Sequence, residues 1–578
     1  MVEPRLIDNA PAQWDLETDV ISVGSGIGGL SAAIAAADSG ARAMVLERTD
    51  QVGGVTAFSL GEVWVAGNHL EPALGIEDSI ESGYRYVRRL AMGYANDIAI
   101  LNQAVHGPAV LRYFEKAIDL RMIVVRDCPD YYYGYSNDGL AEGRLLEVEP
   151  FAAERLGEWQ ERPRVSPHAM YGFTHEDISR NGGSANLRTW DFSAMAERLQ
   201  KDERCLGPGL VCYFVKGAID RGIDMRTGVE VTGLIGDGQR VIGVKAAQDG
   251  REIHIKANRG VVLAVSSYER SPVFTRTLGQ QLDVQSVIMP EVDGAHLRLA
   301  GKFGARVARV PDVTMLGFSI PGEELRDGVP LWRNAMAFAG LPHSMIVNRK
   351  GQRFANEAFY RSLYYAVDAI DGASQEHPNF PCWLVIDSQA REKYPLASIM
   401  PGMDVPAEVG ITAQSIRELA TVAGIDADGL EATVQRFNAA SEAGEDPEFG
   451  RGSMPWGAYM SGDRFHKPHP NLGPLLKAPF YAVPLHRLAS SGIAAAGVVV
   501  DEHSRAMGWD GEAIDGLYLA GNSVARLDNG AMMQSGMSNA RGMTQGFLAG
   551  KHAAGDPSRL LEEAISAGAL NGPAPAYS

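Results

Sequence analysis

The sequence predicts an α/β fold in which a dinucleotide-binding domain is interrupted by a second domain. A glycine-rich turn joins a buried strand to a helix near the N-terminus, and another strand enters a glycine turn near the C-terminus. Between these two segments lies a stretch with more aromatic residues and longer loops, which indicates the second domain. The chain has 578 residues, 45% of them hydrophobic, which is enough to bury a large core. Two intertwined domains account for this length as well as about four separate ones would.

The first element is a strand at 19–23, whose β-branched residues are typical of a buried parallel strand. It enters a G-x-G-x-x-G turn with glycines at Gly24, Gly26 and Gly29. The first glycine permits a tight turn, the second lets the backbone approach a pyrophosphate, and the third lets helix and strand pack closely. We therefore expect a dinucleotide here, with its phosphates at the N-terminus of the next helix.

An alanine-rich helix is predicted at 30–39, ending at Gly40 as a C′ glycine ends a helix. A second strand at 43–46 leads into Glu47, which follows Gly24 by 23 residues. A carboxylate at this position is suited to bind ribose hydroxyls. The combination of strand, turn, helix, strand and acid favours a bound dinucleotide over a merely structural turn.

The glycine turn alone does not distinguish FAD from NAD. Gly-Gly-Val-Thr at 53–56 follows soon after Glu47, and Gly-Leu-Tyr-Leu-Ala-Gly-Asn at 516–522 predicts a strand entering a second glycine turn. Two distant segments that close on one extended cofactor favour FAD, because its flavin end has to be reached by a distant part of the chain.

The residue pattern in the middle of the chain predicts the second domain that interrupts the dinucleotide-binding domain. The elements expected there are a helix at 209–221, a strand at 223–234, hairpin strands at 239–245 and 252–256, and buried strands at 260–265 and 344–347. Aromatic residues and longer loops become more frequent from about residue 300 to 470. The predicted domains are the first part of the cofactor domain at 1–298 with a mostly helical excursion at 66–204, an inserted substrate domain at 299–471, and the last part of the cofactor domain at 472–578.

Charge and cysteine usage exclude several functions. Subtracting 71 acidic from 53 basic residues gives a net charge of −18, which argues against nucleic-acid or anionic-membrane binding. The cysteines form no C-x-x-C pair, so we predict no metal site and four reduced, buried thiols: Cys128, Cys205, Cys212 and Cys382. Without a signal pattern or about 18 consecutive apolar residues, the sequence predicts a cytoplasmic protein with no membrane span.

Further motifs occur along the chain: Gly-Glu-Val-Trp-Val at 61–65, Pro-Asp-Tyr-Tyr at 129–132, and Gly-Gln-Arg-Phe-Ala-Asn-Glu at 351–357. Together with the glycine turns they resemble the flavoproteins grouped with fumarate reductase, and within them the 3-ketosteroid dehydrogenases. The resemblance covers nearly the whole chain. It implies a Rossmann-like FAD-binding domain with an inserted α+β catalytic domain and an active site between the domains. Because the sequence offers no histidine or cysteine suited to covalent attachment, we expect non-covalent FAD.

The resemblance implies desaturation of a cyclic ketone, either a 3-oxosteroid or a smaller cyclohexanone-like ring. A base removes the α-proton, flavin N5 takes the β-hydride, and an external electron acceptor reoxidises the flavin. Two alternatives stay open. One is an ene reductase of conjugated acids or enones, for which His486 and Arg487 are candidate dicarboxylate ligands. The other is a flavin-binding protein without net redox turnover.

The resemblance assigns the catalytic phenol to Tyr360, shortly after the Asn-Glu pair, with Tyr364 and Tyr365 as rivals. Tyr131 or Tyr132 would support it. A phenol has a reference pKa of about 10. A neighbouring phenol or a helix N-terminus can lower that pKa toward the range useful for a base.

The predicted carbonyl clamp departs from the family pattern. The family holds the ketone oxygen with a tyrosine hydroxyl and a glycine N–H. Gly536 matches the glycine, but Met532 replaces the tyrosine and cannot donate a hydrogen bond. Since a single donor to a developing enolate is worth about 3 kcal/mol, the change favours a smaller ring over a steroid. Met532, Met533 and Met537 are expected to line an apolar pocket.

The cofactor contacts follow from the same patterns, whereas His168 and His175 are expected to be structural. The predicted cofactor-binding residues are Gly24, Ser25, Gly26, Gly28, Gly29, Glu47, Arg48, Gly53, Gly54, Val55, Thr56, Val231, Ser266, Gly521, Asn522, Gly536, Met537, Ser538 and Asn539.

Overall fold

The computed structural model describes residues 10–168, 171–238, 240–279, 283–325, 328–489 and 492–568, and of Tyr360 the backbone alone. The strands, numbered in chain order, are β1 Leu16–Val23, β2 Ala43–Leu46, β3 Val63–Trp64, β4 Met122–Val124, β5 Leu145–Val148, β6 Phe151–Ala152, β7 Glu203–Arg204, β8 Asp224–Arg226, β9 Val229–Asp237, β10 Arg240–Gln248, β11 Arg251–Leu263, β12 Val307–Arg309, β13 Met315–Glu324, β14 Pro330–Asn334, β15 Ser344–Asn348, β16 Cys382–Asp387, β17 Ile411–Ala413, β18 Phe480–Leu488, β19 Ala496–Val498, β20 Arg505–Met507 and β21 Ala513–Leu519. The helices are α1 Ile27–Asp38, α2 Ile80–Leu90, α3 Asp97–Ile118, α4 His175–Arg180, α5 Phe192–Gln200, α6 Leu206–Asp220, α7 Pro272–Phe274, α8 Ala295–Lys302, α9 Met336–Ala339, α10 Tyr360–Val367, α11 Ser388–Lys393, α12 Ile416–Ala423, α13 Ala427–Ala443, α14 Pro455–Ser461, α15 Met537–Ala553 and α16 Leu560–Ser566.

The first sheet is built on parallel strands in the order β21-β11-β1-β2-β8. Val20 of β1 lies opposite Ala43 of β2 and Gly260 of β11. Because the strands run in the same direction, their carboxyl ends meet at one edge of the sheet, where ligands of such folds bind. β20 extends the sheet beyond β21, and β9 and β10 form an antiparallel extension on β11.

Strand β11 corrects the prediction of separate strands at 252–256 and 260–265, because both belong to one strand of 13 residues. Its first half pairs antiparallel with β10, and its second half pairs parallel with β21. Strand β1 pairs with both halves, so only the neighbour on the other edge changes along β11. The single strand predicted at 223–234 is instead divided between β8 and β9, on either side of Gly228 with φ +71°.

The second sheet is antiparallel, in the order β14-β13-β18-β16-β15, with β17 paired to β18. Strand β18 is central in it, although it comes from the segment 472–578 that was assigned to the cofactor domain. The second sheet therefore extends past the boundary predicted at residue 471. A third, small sheet has the order β3-β5-β4, and Trp64 of β3 stacks on Tyr86 of α2.

Helices α1 and α15 pack with their backbones in contact. A Cβ atom at Gly550 of α15 would lie 2.2 Å from the carbonyl oxygen of Ala32 in α1, and one at Gly546 would lie 2.3 Å from that of Gly28. Only glycine fits at such distances. The approach aligns the N-terminus of α15 with the glycine turn that precedes α1.

Two further predictions concern the whole chain. All four cysteines are buried and free, which confirms the prediction of reduced core thiols. Burial raises the pKa of each thiol. In the part of the chain that the structure describes, no helix combines the length and the apolar character needed to cross a membrane.

Replacement of Gly550 by alanine tests the contact between α1 and α15. We expect Gly550→Ala to lower the free energy of unfolding by about 1–3 kcal/mol, because an added methyl group in a tight interface forces backbone shifts. Urea unfolding followed by circular dichroism measures the change.

Gly301→Ala is the matched control, because Gly301 lies in helix α8 with no atom within 4 Å of an added Cβ. There we expect a gain of up to about 1 kcal/mol from helix propensity alone. Equal changes in the free energy of unfolding for Gly550→Ala and Gly301→Ala would contradict the close contact between α1 and α15.

Candidate active site

A cavity of about 960 Å³ opens at the carboxyl ends of β1, β11 and β21. One part of its wall is the glycine turn with the adjoining strand ends. Another part is apolar and includes Leu187, Trp190, Met336, Phe338 and Met460. One continuous cavity therefore joins the predicted dinucleotide motif to an apolar chamber.

The glycine turn is tied to the residues that follow β2. Gly24 has φ +99°, and a Cβ there would lie 2.4 Å from the carbonyl oxygen of Ala264. The Ser25 hydroxyl donates to Glu47 Oε2 at 2.6 Å and accepts from the Gly53 N–H at 3.1 Å. These bonds join three predicted cofactor segments into one concave wall.

Most of the predicted cofactor residues line this cavity, and three do not. A Cβ at Gly29 would lie 2.0 Å from the Gly24 carbonyl oxygen, so Gly29 serves the packing of helix on turn. Gly53 lies against the Val211 side chain, and Met537 is buried in the core. The predicted cofactor residues that line the cavity are Gly24, Ser25, Gly26, Gly28, Glu47, Arg48, Gly54, Val55, Thr56, Val231, Ser266, Gly521, Asn522, Gly536, Ser538 and Asn539.

Two buried polar atoms at this wall fit a bound flavin cofactor. Among the described residues, Ser266 Oγ and Asn522 Oδ1 have no hydrogen-bond partner. A buried polar atom of this kind costs free energy unless a ligand satisfies it. The turn that carries Asn522 is held from behind, because Gly521 N–H donates to Gln545 Oε1 at 2.9 Å and Gln545 Nε2 donates to Asp528 at 3.0 Å. The residues present therefore fit FAD.

Of the two adjacent tyrosines predicted to act at the site, Tyr131 lines the cavity and Tyr132 does not. The ring of Tyr131 lies 4.1 Å from that of Trp456, centre to centre. Tyr132 packs its ring on Phe359 and accepts a hydrogen bond from Arg361 Nε at 3.3 Å. The contacts of Tyr132 thus hold the neighbouring loop.

Tyr360 is the first residue of helix α10, and the prediction for its side chain lies outside the described residues. The rival phenols do not line the cavity. Tyr364 is buried in the core, where burial raises its pKa. Tyr365 is 41% exposed and accepts from Arg361 Nη2 at 2.9 Å. Arg361 also donates to the carbonyl oxygen of Ala531, so the start of α10 is bound to the loop that precedes α15.

Gly536 stands immediately before α15 and lines the cavity. Its φ is +77°, and a Cβ there would lie 2.6 Å from Trp64 N. N–H groups at a helix N-terminus lack intrahelical partners and favour negative charge. Of the three methionines expected at the pocket, Met533 lines the cavity, whereas Met532 and Met537 belong to the core.

Gln534 lines the cavity and was not predicted from the sequence. Its Oε1 accepts from the Tyr131 backbone N–H and from the Tyr86 hydroxyl, both at 3.0 Å. A backbone N–H can only donate, so it determines which end of the amide carries oxygen. The Nε2 amide has no partner among the described residues and is available as a donor beside Gly536. The sequence signal that could have indicated Gln534 is a polar residue directly after Met532 and Met533, in the segment 531–539 that resembles the family's carbonyl-binding motif.

His175 and Glu62 form a buried ion pair in the cavity wall. His175 Nε2 lies 3.2 Å from the Tyr459 hydroxyl, and Ser535 Oγ donates to Glu62. Burial lowers the pKa of His175, but Glu62 and then Glu147 raise it above its ordinary value. His175 is thus hydrogen-bonded, as predicted, but it also helps to fix the residue that precedes Gly536.

The candidate dicarboxylate ligands lie away from the cavity. His486 packs edge-on against Trp332, with ring centres 4.9 Å apart. Arg487 pairs with Asp368 at 3.2 Å and stacks on Phe380. Neither residue lines the cavity, so neither is placed to bind a dicarboxylate there, as the alternative of an ene reductase would need.

Comparison with known proteins identifies the family. The family model described as an FAD binding domain matches residues 19–538. The chain is 31% identical to 4-oxocyclohexanecarboxylate 2-dehydrogenase of Sinomonas cyclohexanicum, over 95% of both chains, and 30% identical to 3-oxosteroid 1-dehydrogenase of Mycobacterium tuberculosis, over 93% of this chain and 98% of that one.

A solved structure supports the fold and the predicted resemblance. The 3-ketosteroid delta1-dehydrogenase of Sterolibacterium denitrificans, in complex with 1,4-androstadiene-3,17-dione, matches with a TM-score of 0.85 and 26% identity, over 93% of this chain and 99% of that one. The predicted α/β fold, the resemblance to ketosteroid dehydrogenases and the FAD cofactor are confirmed. The chain belongs to this family of FAD-binding proteins and is an FAD-dependent oxidoreductase.

Proposed function

We propose that the protein desaturates a cyclic ketone between its α- and β-carbons. The single cavity carries this proposal, because it joins the cofactor wall to an apolar chamber that contains Tyr131, Gln534 and Gly536. Two relatives are named for dehydrogenation of ring ketones, one of a cyclohexanone carboxylate and one of a steroid. A 3-oxosteroid or a smaller ring is the proposed substrate class.

When bound, FAD supplies the acceptor for the β-hydride, and an external oxidant restores it. The protein's own residues would hold the cofactor through the glycine turn, Glu47 and the buried polar atoms of Ser266 and Asn522. With a ring bound, the apolar part of the wall would keep water from its carbonyl group, which strengthens the hydrogen bonds that hold the substrate.

The ketone oxygen would be held by Gln534 Nε2 and the Gly536 N–H. Both groups line the cavity, and neither has a partner among the described residues. An enolate forms as the α-proton leaves, and two donors aimed at its oxygen lower the energy of that state. The Gln534 amide would thus supply the second donor where Met532 cannot.

Tyr360 would take the α-proton, with Tyr131 as its supporting phenol. The backbone of Tyr360 lies between Phe359, which packs on Tyr132, and Arg361, which binds the Ala531 carbonyl. The start of α10 therefore contacts both the loop that carries Tyr132 and the loop that precedes α15. This position supports a base that acts beside the two carbonyl donors.

Ketone reduction of the bound flavin tests the function. An anaerobic titration of the holoenzyme with androstenedione, and separately with cyclohexanone, should bleach the oxidised flavin band. Mass spectrometry should find a product lighter by two hydrogens. A flavin that no cyclic ketone bleaches, but that an enone or enoate reoxidises after chemical reduction, would instead establish an ene reductase.

Gln534→Glu tests the carbonyl donor. Glutamate keeps an oxygen to accept from the Tyr131 N–H and the Tyr86 hydroxyl, but it replaces the Nε2 donor with a second oxygen. We expect the rate constant of flavin reduction to fall about 100- to 1,000-fold, with flavin content unchanged.

Tyr86→Phe is the control for this variant, because it removes one bond to Oε1 and leaves the donor in place. Its rate of flavin reduction should stay near that of the wild type. Equal rates in Gln534→Glu and the wild type would exclude a role for the amide.

Tyr360→Phe tests the base. Loss of a general base typically lowers the rate about 100- to 10,000-fold. We expect that loss in single-turnover flavin reduction, and with it loss of α-proton exchange into deuterated water. Retained exchange in this variant would rule out Tyr360 as the base.

A further inference from the structure

Arg464 differs from the other arginines in the cavity wall. Those four each have a carboxylate within 4 Å: Arg48 with Asp293 at 3.3 Å, Arg164 with Glu291 at 3.7 Å, Arg298 with Asp293 at 3.0 Å, and Arg333 with Glu323 at 2.9 Å. For Arg464, the described residues supply none. Arg464 is half-buried, and its guanidinium lacks the carboxylate partner that the other four arginines have, so an anionic ligand can take that place.

The Arg464 guanidinium is held in one orientation. Its Nη1 donates to the Ser179 carbonyl oxygen at 3.1 Å, and its Nη2 donates to Ser179 Oγ at 3.0 Å. The guanidinium carbon lies 5.1 Å from the centre of the Tyr459 ring. A guanidinium has five N–H donors, and Ser179 uses two of them. The remaining donors are suited to a planar, two-oxygen anion.

No carboxylate of the described residues lies within ion-pair distance of Arg464, and the carboxylates Glu62 and Glu147 lie around His175. His175 is near enough for the positive charge of Arg464 to lower its pKa, and Glu62 is already paired with His175. The hydroxyl of Tyr459 contacts His175 rather than Arg464. Among the described residues, Arg464 is therefore a guanidinium without a carboxylate in ion-pair distance, in the same wall that contains His175, Glu62, Ser535 and Gly536.

From this arrangement we infer that Arg464 binds a carboxylate of the substrate. The inference rests on the proposed function and refines it: the ligand is a cyclic ketone that carries a carboxylate away from its carbonyl group. Arg464 would select such an acid over a neutral ring ketone. Its role is in specificity, because it binds a part of the substrate that does not react.

The test compares an acid with its uncharged ester. 4-Oxocyclohexanecarboxylate and its methyl ester are offered to the wild type, Arg464→Gln, Arg464→Lys and Arg333→Gln, all as holoenzymes. Charge-assisted hydrogen bonds are worth about 1.5–3 kcal/mol, so Arg464→Gln should raise the KM of the acid about 10- to 100-fold. The KM of the ester should not change. Arg464→Lys should restore part of the preference.

Arg333→Gln is the matched control, because Arg333 is a cavity-wall arginine that already pairs with Glu323. The ratio of KM values for acid and ester should be the same in this variant as in the wild type. An Arg464→Gln variant that raises both KM values equally, or neither, would overturn the inference.

A binding measurement separates this inference from the proposed function. Cyclohexanecarboxylate has no ketone to oxidise, and calorimetry gives its dissociation constant for the wild type and Arg464→Gln. Weaker binding of cyclohexanecarboxylate to Arg464→Gln than to the wild type supports the carboxylate site even if no ketone is turned over. Equal binding rejects that site even if neutral ketones are desaturated.

Discussion

The backbone contact between helices α1 and α15 is the constraint on which the rest of the site depends. Gly546 and Gly550 let α15 lie against the carbonyl oxygens of α1, so two segments separated by about the whole chain are held as one unit. The N-terminus of α15 is thereby fixed relative to the glycine turn that begins α1. Gly536 and Gln534, just before α15, take their positions from that contact.

Buried charges hold the loops that carry the site. Arg144 pairs with Asp78 and Asp130 next to Tyr131, Glu62 pairs with His175 beside Ser535, and Arg541 pairs with Asp528 behind Asn522. Breaking such a pair leaves a buried charge without a partner, which typically costs about 3–5 kcal/mol. The site can therefore use irregular loops, where functional groups are often found, and still have a defined geometry.

Local patterns located the glycine-turn side of the cavity more closely than its apolar side. The turn at Gly24, strand β2 and Glu47 depend on neighbours in sequence, and each stands where it was predicted. Strand β11 was predicted as two strands, and on one edge its two halves do pair with different strands, β10 and β21. Met532 was expected in the pocket but lies in the core, since the direction of a side chain in a loop depends on contacts that the sequence does not show.

The sequence by itself determined the dinucleotide turn, the family and the identity of FAD, because these follow from short motifs whose chemistry is local. Only the tertiary structure decided that Gln534 turns its Nε2 amide away from Tyr131 and Tyr86, with no partner for it among the described residues, since its orientation depends on the distant Tyr131 N–H and Tyr86 hydroxyl. It likewise decided that no carboxylate of the described residues lies within ion-pair distance of Arg464. The partners of a charge are set by packing between distant segments, and no spacing in the sequence encodes them.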